Sequence, residues 1–277
     1  MIVCSGVRSA TWVVAIAALF VVAPDAAIKS LNARGASPSH CFGGARRSLG
    51  AGGPPPLAFA RRLGAALRPQ ALQMTTTWTF DRLENIGGHR TTVLGEPRVI
   101  DAPVGKAVEF DGKDDALFIE NHPLAGAEAF TWEAIFRPDG GEKEQRWFHL
   151  NERDPATGAD TENRMLFEIR VVDDKWFFDS YNQSGAANKA LINRMALHAL
   201  GSWYHVAAVY DGKEFSNYVD GVREGAAELH LAAHGPGHAS VGVRINKVFY
   251  FKGAVHLARF TRRALSPSEF LKIPAKP

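Results

Sequence analysis

Cysteine is nearly absent from this chain: Cys4 and Cys41 are its only two among 277 residues, and both precede the patterned part of the sequence. From Met74 onward no disulfide framework is available, so stability there must come from an apolar core and from backbone hydrogen bonding. Acids are missing over a long stretch, with none from Ala26 to Phe80. Residues 1–73 carry eight Lys/Arg against the single acid Asp25, which leaves 24 of the 32 basic and 28 of the 29 acidic residues for positions 74–277. The charge is therefore +7 upstream and −4 downstream, and a mildly acidic folded region offers no face for nucleic acid. P-loop, dinucleotide-binding glycine and serine-nucleophile motifs are missing as well.

A membrane-spanning run is also lacking. The sustained apolar stretch Trp12–Ala23, preceded by Arg8, falls short of the roughly 20 residues a spanning helix needs and has the length of a signal-peptide core. Pro24 and Asp25 spoil the cleavage signal, so residues 1–27 read as a signal peptide or a retained signal anchor that could hold the chain at a membrane. Residues 28–74 are rich in Arg, Gly and Pro, including Gly50–Pro56, and read as a disordered linker or transit-like segment. Three addresses follow: secreted or displayed at the cell surface, an organelle reached through a bipartite address, or the cytoplasm if translation starts at Met74.

What is present is strand after short strand. Gly201–Gly221 alternates through Trp203–Tyr210, turns at Asp211-Gly212, alternates again through Phe215–Val219 and turns at Asp220-Gly221, which predicts an antiparallel meander. By parity Val206, Ala208 and Tyr210 face one way and Trp203, His205, Ala207 and Val209 the other, with His205 a hydrogen-bonded core histidine. Phe130, Trp132, Ala134 and Phe136 point inward from a half-buried strand, with Thr131, Glu133, Ile135 and Arg137 outward. Phe148 and Leu150 point inward, leaving Trp147 and His149 outward; Met165, Phe167, Ile169 and Val171 point inward from the next strand. Ala186–Leu200 is open to two readings, a helical stripe of Leu191, Ile192, Met195 and Leu200 or a strand and loop before Trp203. Ser266-Pro267-Ser268-Glu269 is a capping box opening one short helix through Leu271.

The run W-Y-H-V-A-x-V-Y-D-G with Y-V-D-G at Trp203–Gly221, the G-x-A-x-x-F-D-G at Gly105–Gly112 and the closing Phe251–Phe270 segment resemble laminin-G-like jelly-roll domains of the concanavalin A-like lectin/glucanase superfamily. The resemblance implies an all-β fold: a two-sheet antiparallel jelly-roll sandwich over residues 75–274, one sheet concave. On the same resemblance the strand and loop are preferred for Ala186–Leu200 over the helical stripe. Glucanases of that superfamily carry paired acids on one strand in an E-x-D-x-x-E arrangement, whereas Glu168 and Asp173 here have opposite parity. Alginate lyases of the fold use Arg, Gln, His and Tyr; Arg170 and Tyr181-Asn-Gln183 match part of that set without its Q-I-H motif. The implied function is a non-catalytic module that binds a carbohydrate or glycoprotein through the concave sheet, the alternative being a polysaccharide-degrading hydrolase or lyase.

Parity places Glu133, Trp147, His149, Glu168 and Arg170 on that working face, with Tyr181, as an aromatic beside charged groups suited to stacking on a pyranose and bonding its hydroxyls. The plainer reading tucks Trp147 under a loop and leaves the charges as solvated strand positions. Asp111, Asp114 and Asp115 sit on a turn where related domains hold calcium, and hard carboxylate oxygens suit that ion. The related C-terminal strand carries an acid where this one has His256, a poor calcium ligand. His234 and His238, on a glycine loop without a third ligand, read as plain loop.

Overall fold

The computed structural model describes residues 74–273, and the targeting and linker readings lie outside them. Among the described residues there are sixteen strands. They are β1 (Thr75–Thr79), β2 (Thr91–Leu94), β3 (Arg98–Ala102), β4 (Gly105–Asp111), β5 (Ala116–Ile119), β6 (Phe130–Pro138), β7 (Glu144–Arg153) and β8 (Asp160–Val172). The remainder are β9 (Lys175–Ser184), β10 (Ala187–Ile192), β11 (His198–Ala199), β12 (Tyr204–Tyr210), β13 (Glu214–Val219), β14 (Val222–Glu228), β15 (Gly237–Val241) and β16 (Lys252–Thr261). All pair antiparallel in two sheets: β14-β13-β12-β6-β16-β4-β3 with β1 beside β16, and β10-β9-β8-β7-β15-β5-β2 with β11 beside β9. No helix among the described residues is long and apolar enough to cross a membrane.

The Asp-Gly turns do what their chemistry allows. Asp211 Oδ1 accepts the N–H groups of Lys213 and Glu214 at 2.8 and 2.7 Å, and Asp220 and Gly221 take φ of 48° and 80°, the left-handed pair of a hairpin turn. Between the sheets Trp132 of β6 stacks on Phe167 of β8 at 3.8 Å, and Phe136 of β6 stacks on Trp147 of β7 at 4.3 Å with 2° between the planes. These pairs join the two layers across the core.

Two parity readings fail here, the first for a reason internal to β7. Its pairing with β8 slips between Arg146 and Phe148, so Trp147 is an extra residue that turns inward beside Phe148 and is fully buried. Trp147 is thus core, while Trp203 sits half-buried ahead of β12 with the Arg137 guanidinium 5.5 Å over its ring. The β6 strand is also buried on both faces rather than half-buried, because residues following β16 fold back over it and over β12: Thr131 Oγ1 donates to the Arg263 carbonyl at 2.9 Å and accepts the Leu265 N–H at 2.8 Å, while Leu265 and Phe270 pack on Ala207 and Val209 of β12. Ser266 N–H donates to Glu269 Oε2 at 2.9 Å, as the capping box requires, yet the segment is a 3-10 turn, Pro267–Glu269, and not a helix reaching Leu271. Phe270 turns extended, at ψ 154°, and its ring meets those of His205 and Tyr218.

Candidate functional site

The outer face of the second sheet carries an open groove of about 200 Å³. Its floor comes from alternate residues of adjacent strands: Arg164, Leu166, Glu168 and Arg170 of β8, Asp179 and Tyr181 of β9, and Arg146 of β7, with Arg244 and Ile192 at its margins. Register does the gathering, since Glu168 lies opposite both Arg146 and Asp179. Arg146 Nε donates to Glu168 Oε1 at 3.0 Å, and Arg170 Nη2 reaches Glu168 Oε2 at 3.2 Å and Asp179 Oδ2 at 2.8 Å. The Arg164 guanidinium lies 5.1 Å over the Tyr181 ring, whose hydroxyl donates to Gln183 Oε1 at 2.7 Å.

Burial, and then the neighbouring Asp179 charge, pushes the Glu168 carboxyl up to about 7; the two arginines pull it down without prevailing. Burial raises Asp179 also. A carboxyl whose folded pKa exceeds its unfolded one holds its proton more tightly in the native state, so its contribution is full below the unfolded value and is lost as pH rises through the folded value. Buried His122, held down near 3, and His149 and His234, also held low by burial, act with the opposite sign. The expected result is therefore a difference: between about pH 5 and about pH 8, wild type loses a few °C in melting temperature relative to Glu168→Gln, at about 2–4 °C per kcal/mol. Parallel melting curves for the two proteins across that range would refute the raised carboxyl.

Of the residues expected on this face, Glu168, Arg170 and Tyr181 are brought together and three are not. Trp147 has its ring in the core, for the reason given above. His149 belongs to the right face but is buried, its Nδ1 accepting the Ile245 N–H at 3.1 Å from the loop that covers it. Glu133 lies on the first sheet, on its outer face, and is fully buried beneath the chain's end. There its carboxylate accepts from His205 Nε2 at 3.0 Å, Arg259 Nε at 2.6 Å and the Leu271 N–H at 2.7 Å. His205 is accordingly the hydrogen-bonded core histidine expected. Arg164 and Asp179 were open to the same parity reading as Glu168 and Tyr181, whereas Arg146 is masked by the β7 bulge and Arg244 stands on a loop without period.

The acidic turn borders a larger cleft, of about 930 Å³, at the sandwich rim. One ligand oxygen from each of Asp111, Asp114 and Asp115 lies within 4.8 Å of the others, close enough to share a metal ion. Much of that donor set is already engaged: Asp115 accepts the Glu96 and Asp111 N–H groups at 2.7 and 3.0 Å, and Asp111 those of Lys113 and Asp114 at 2.8 and 3.3 Å. Lys113, Lys252 and Arg98 line the same cleft. Calcium takes roughly six to eight oxygens, so the set fits that ion only with added water and main-chain ligands. His256 is remote from the turn: it is the bulged residue of β16, four positions beyond Lys252, which opposes Asp111, and its Nδ1 meets the Lys106 carbonyl at 2.7 Å. His238 is not on a loop as expected but on β15, opposite Asn151, buried and bonded to Asp160 and Arg153, each at 2.6 Å.

A laminin-G-like family described as the concanavalin A-like lectin/glucanases superfamily matches residues 111–270, more than half of the chain and all but the first strands of the sandwich. The chain belongs to that superfamily. Among solved structures, this concanavalin A-like chain is similar to domain 4 of AbnA, a GH43 extracellular arabinanase from Geobacillus stearothermophilus, solved in complex with arabinotriose. The identity is 18%, over 70% of this chain and 94% of that one, with a TM-score of 0.51. It is also similar to the binding domain of Paraclostridial Mosquitocidal Protein 1, at 12% identity over 72% of this chain and 51% of that one, TM-score 0.50. No curated protein matches the chain. At these identities the likeness is one of fold, and the superfamily holds binding domains and enzymes alike.

Proposed function

We propose that this chain is a carbohydrate-binding module that holds a saccharide in the groove on the outer face of its second sheet and does not cleave it. The carrying observation is the groove itself, where Tyr181, Leu166 and Ile192 offer ring and aliphatic surface beside guanidinium groups that can donate to hydroxyls. The similar arabinanase domain solved with arabinotriose supports a sugar ligand on this scaffold. Binding without turnover is supported by the state of the two acids. Both Glu168 oxygens are taken by arginines and Asp179 Oδ2 by Arg170, and the one unbonded oxygen, Asp179 Oδ1, is buried away from solvent, which leaves no free carboxylate oxygen exposed to a glycosidic one. Export or surface display would bring such a module to its ligand, and the apolar segment Trp12–Ala23 supports that address.

One observation favours the hydrolase or lyase reading: Glu168 and Asp179 form a cross-strand pair in which one carboxyl keeps its proton near neutral pH, as a general acid must. Incubation with a polysaccharide panel, with and without a chelator, separates the two. Binding by calorimetry, weakened about tenfold in Tyr181→Ala, with no new reducing ends and no ultraviolet absorbance of unsaturated sugars, is the expected result. Product formation abolished by Glu168→Gln would replace the binding reading with the enzyme.

A further inference from the structure

The groove is lined by four arginines, Arg146, Arg164, Arg170 and Arg244, and by two acids, Glu168 and Asp179, with Glu144 and Glu162 pairing from outside it. Arg170 is shared among Glu168, Asp179 and Glu144; Arg146 bonds Glu168 and lies 3.9 Å from Glu144; Arg164 pairs with the largely exposed Glu162 at 2.9 Å. Arg244 has no carboxylate within ion-pairing distance among the described residues, although it lines the same groove as Arg146 and Arg164. Two guanidinium nitrogens beside it, Arg146 Nη1 and Arg164 Nε, are buried with no hydrogen-bond partner. Donors buried without acceptors are uncommon in a folded protein, and charged ones are the costliest to leave so. Burial, and then the Arg164 and Arg146 charges, also hold the Arg244 pKa below its ordinary value, although Glu168 and Glu162 oppose them.

The loop that presents Arg244 is held in an unfavourable backbone shape. Lys247 and Phe249 take φ of 60° and 64°, in the left-handed region that a bulky aromatic residue rarely enters. The loop is pinned to β7 in that shape: Arg146 N–H donates to the Phe249 carbonyl at 3.0 Å, Ile245 N–H to His149 Nδ1 at 3.1 Å, and the Arg146 guanidinium lies 3.7 Å over the Phe249 ring. A single pinned loop thus sets Arg244 in place and fixes the plane of Arg146 next to it, which is the preorganisation that forked recognition of an anion needs.

We propose that Arg146, Arg164 and Arg244 form a seat for the anionic group of an acidic saccharide, a carboxylate or a sulfate ester, where the Arg244–Tyr250 loop meets the groove. The seat rests on the carbohydrate reading above and narrows it from sugars in general to charged ones. The net charge of residues 74–277, −4, does not favour an anion, and the +7 of residues 1–73 is common to wild type and to Arg244→Gln, so comparing the two in the full chain separates the seat from bulk attraction.

The test is calorimetric titration of the full chain with three probes of matched length: polygalacturonate oligosaccharides for the carboxylate, heparin oligosaccharides for the sulfate, and neutral arabinan oligosaccharides. At least one charged probe is expected to bind about tenfold or more tighter than the neutral one, and which of the two does so names the anion. Arg244→Gln is expected to bring that preference to within about twofold while leaving the melting temperature unchanged, since Arg244 pairs with no carboxylate of the folded chain. Equal affinity for neutral and charged probes would end the proposal yet leave the carbohydrate reading standing. A preference that survives Arg244→Gln would also overturn it, as diffuse charge rather than a seat. Failure to bind any of the three probes, or a wider neutral panel, would overturn both.

Discussion

Trp147→Ala is expected to cost about 3–5 kcal/mol of folding stability, a fall of roughly 6–20 °C in melting temperature at about 2–4 °C per kcal/mol for a domain of this size. The side chain is fully buried, parallel to Phe136 at 4.3 Å, with Phe251 and Phe167 at 5.7 and 5.5 Å. Alanine would remove one partner of a stack that joins the two sheets, in a place where rigid strands on both sides prevent collapse into the cavity. Trp147→Phe is expected to recover most of the loss, because a ring remains against Phe136 and the indole N–H, which has no acceptor, is removed. Trp203→Ala supplies the contrast. Half-buried at a strand end under Arg137, that ring is expected to contribute about 1 kcal/mol or less. Equal losses for Trp147→Ala and Trp203→Ala in urea or thermal denaturation would mean that the β7 bulge is misplaced.

Glu133→Ala is expected to cost a comparable amount, about 3–5 kcal/mol, and to do so through the chain's end. The buried carboxylate is the common acceptor for His205 of β12, Arg259 of β16 and the main chain at Leu271, so it clasps the residues after β16 onto the outer face of the first sheet. Its pKa is kept below the ordinary carboxylate value by those donors although burial opposes them, and an ionised Glu133 is what the clasp requires. Removing it leaves Arg259 without its counter-charge and His205 Nε2 without its partner, and breaking one side of a buried pair costs more than forming the pair returns. Phe270 and Leu265 should then lose their hold on Ala207 and Val209. Hydrogen exchange is the measurement: amides of residues 265–271 should lose protection before those of β6 and β12. Unchanged protection at Leu271 in the variant would show that packing alone retains the segment. The sugar binding proposed for the opposite sheet should survive in whatever fraction stays folded.

The meander of β12, β13 and β14 was legible because each of its signals is local: alternation over a few residues and Asp-Gly turns whose geometry depends on no distant partner. The same holds for the inward rows Phe130–Phe136 and Met165–Val171, which the structure places in the core. Parity failed at Trp147, because a bulge adds one residue to one strand against its neighbour and reverses every assignment before it, and nothing in the local pattern of Gln145–Leu150 marks it. It failed differently at Glu133. There the outward direction is right, but outward on the first sheet means under residues 264–273, a covering that depends on where the chain returns.

For the groove the division is the same. Glu168, Arg170 and Tyr181 share a face by alternation along their own strands, a property of the sequence with period two. That Glu168 meets Asp179 and Arg146, and that Arg244 arrives beside them from a loop, is fixed by strand register and by a left-handed backbone at Lys247 and Phe249. The sequence by itself determined the class of fold, the turns and most of the core, since alternation and turn chemistry act over a few bonds. Tertiary structure decided which charges stand together, because register, bulges and the returning chain end are settled by packing between segments far apart in sequence.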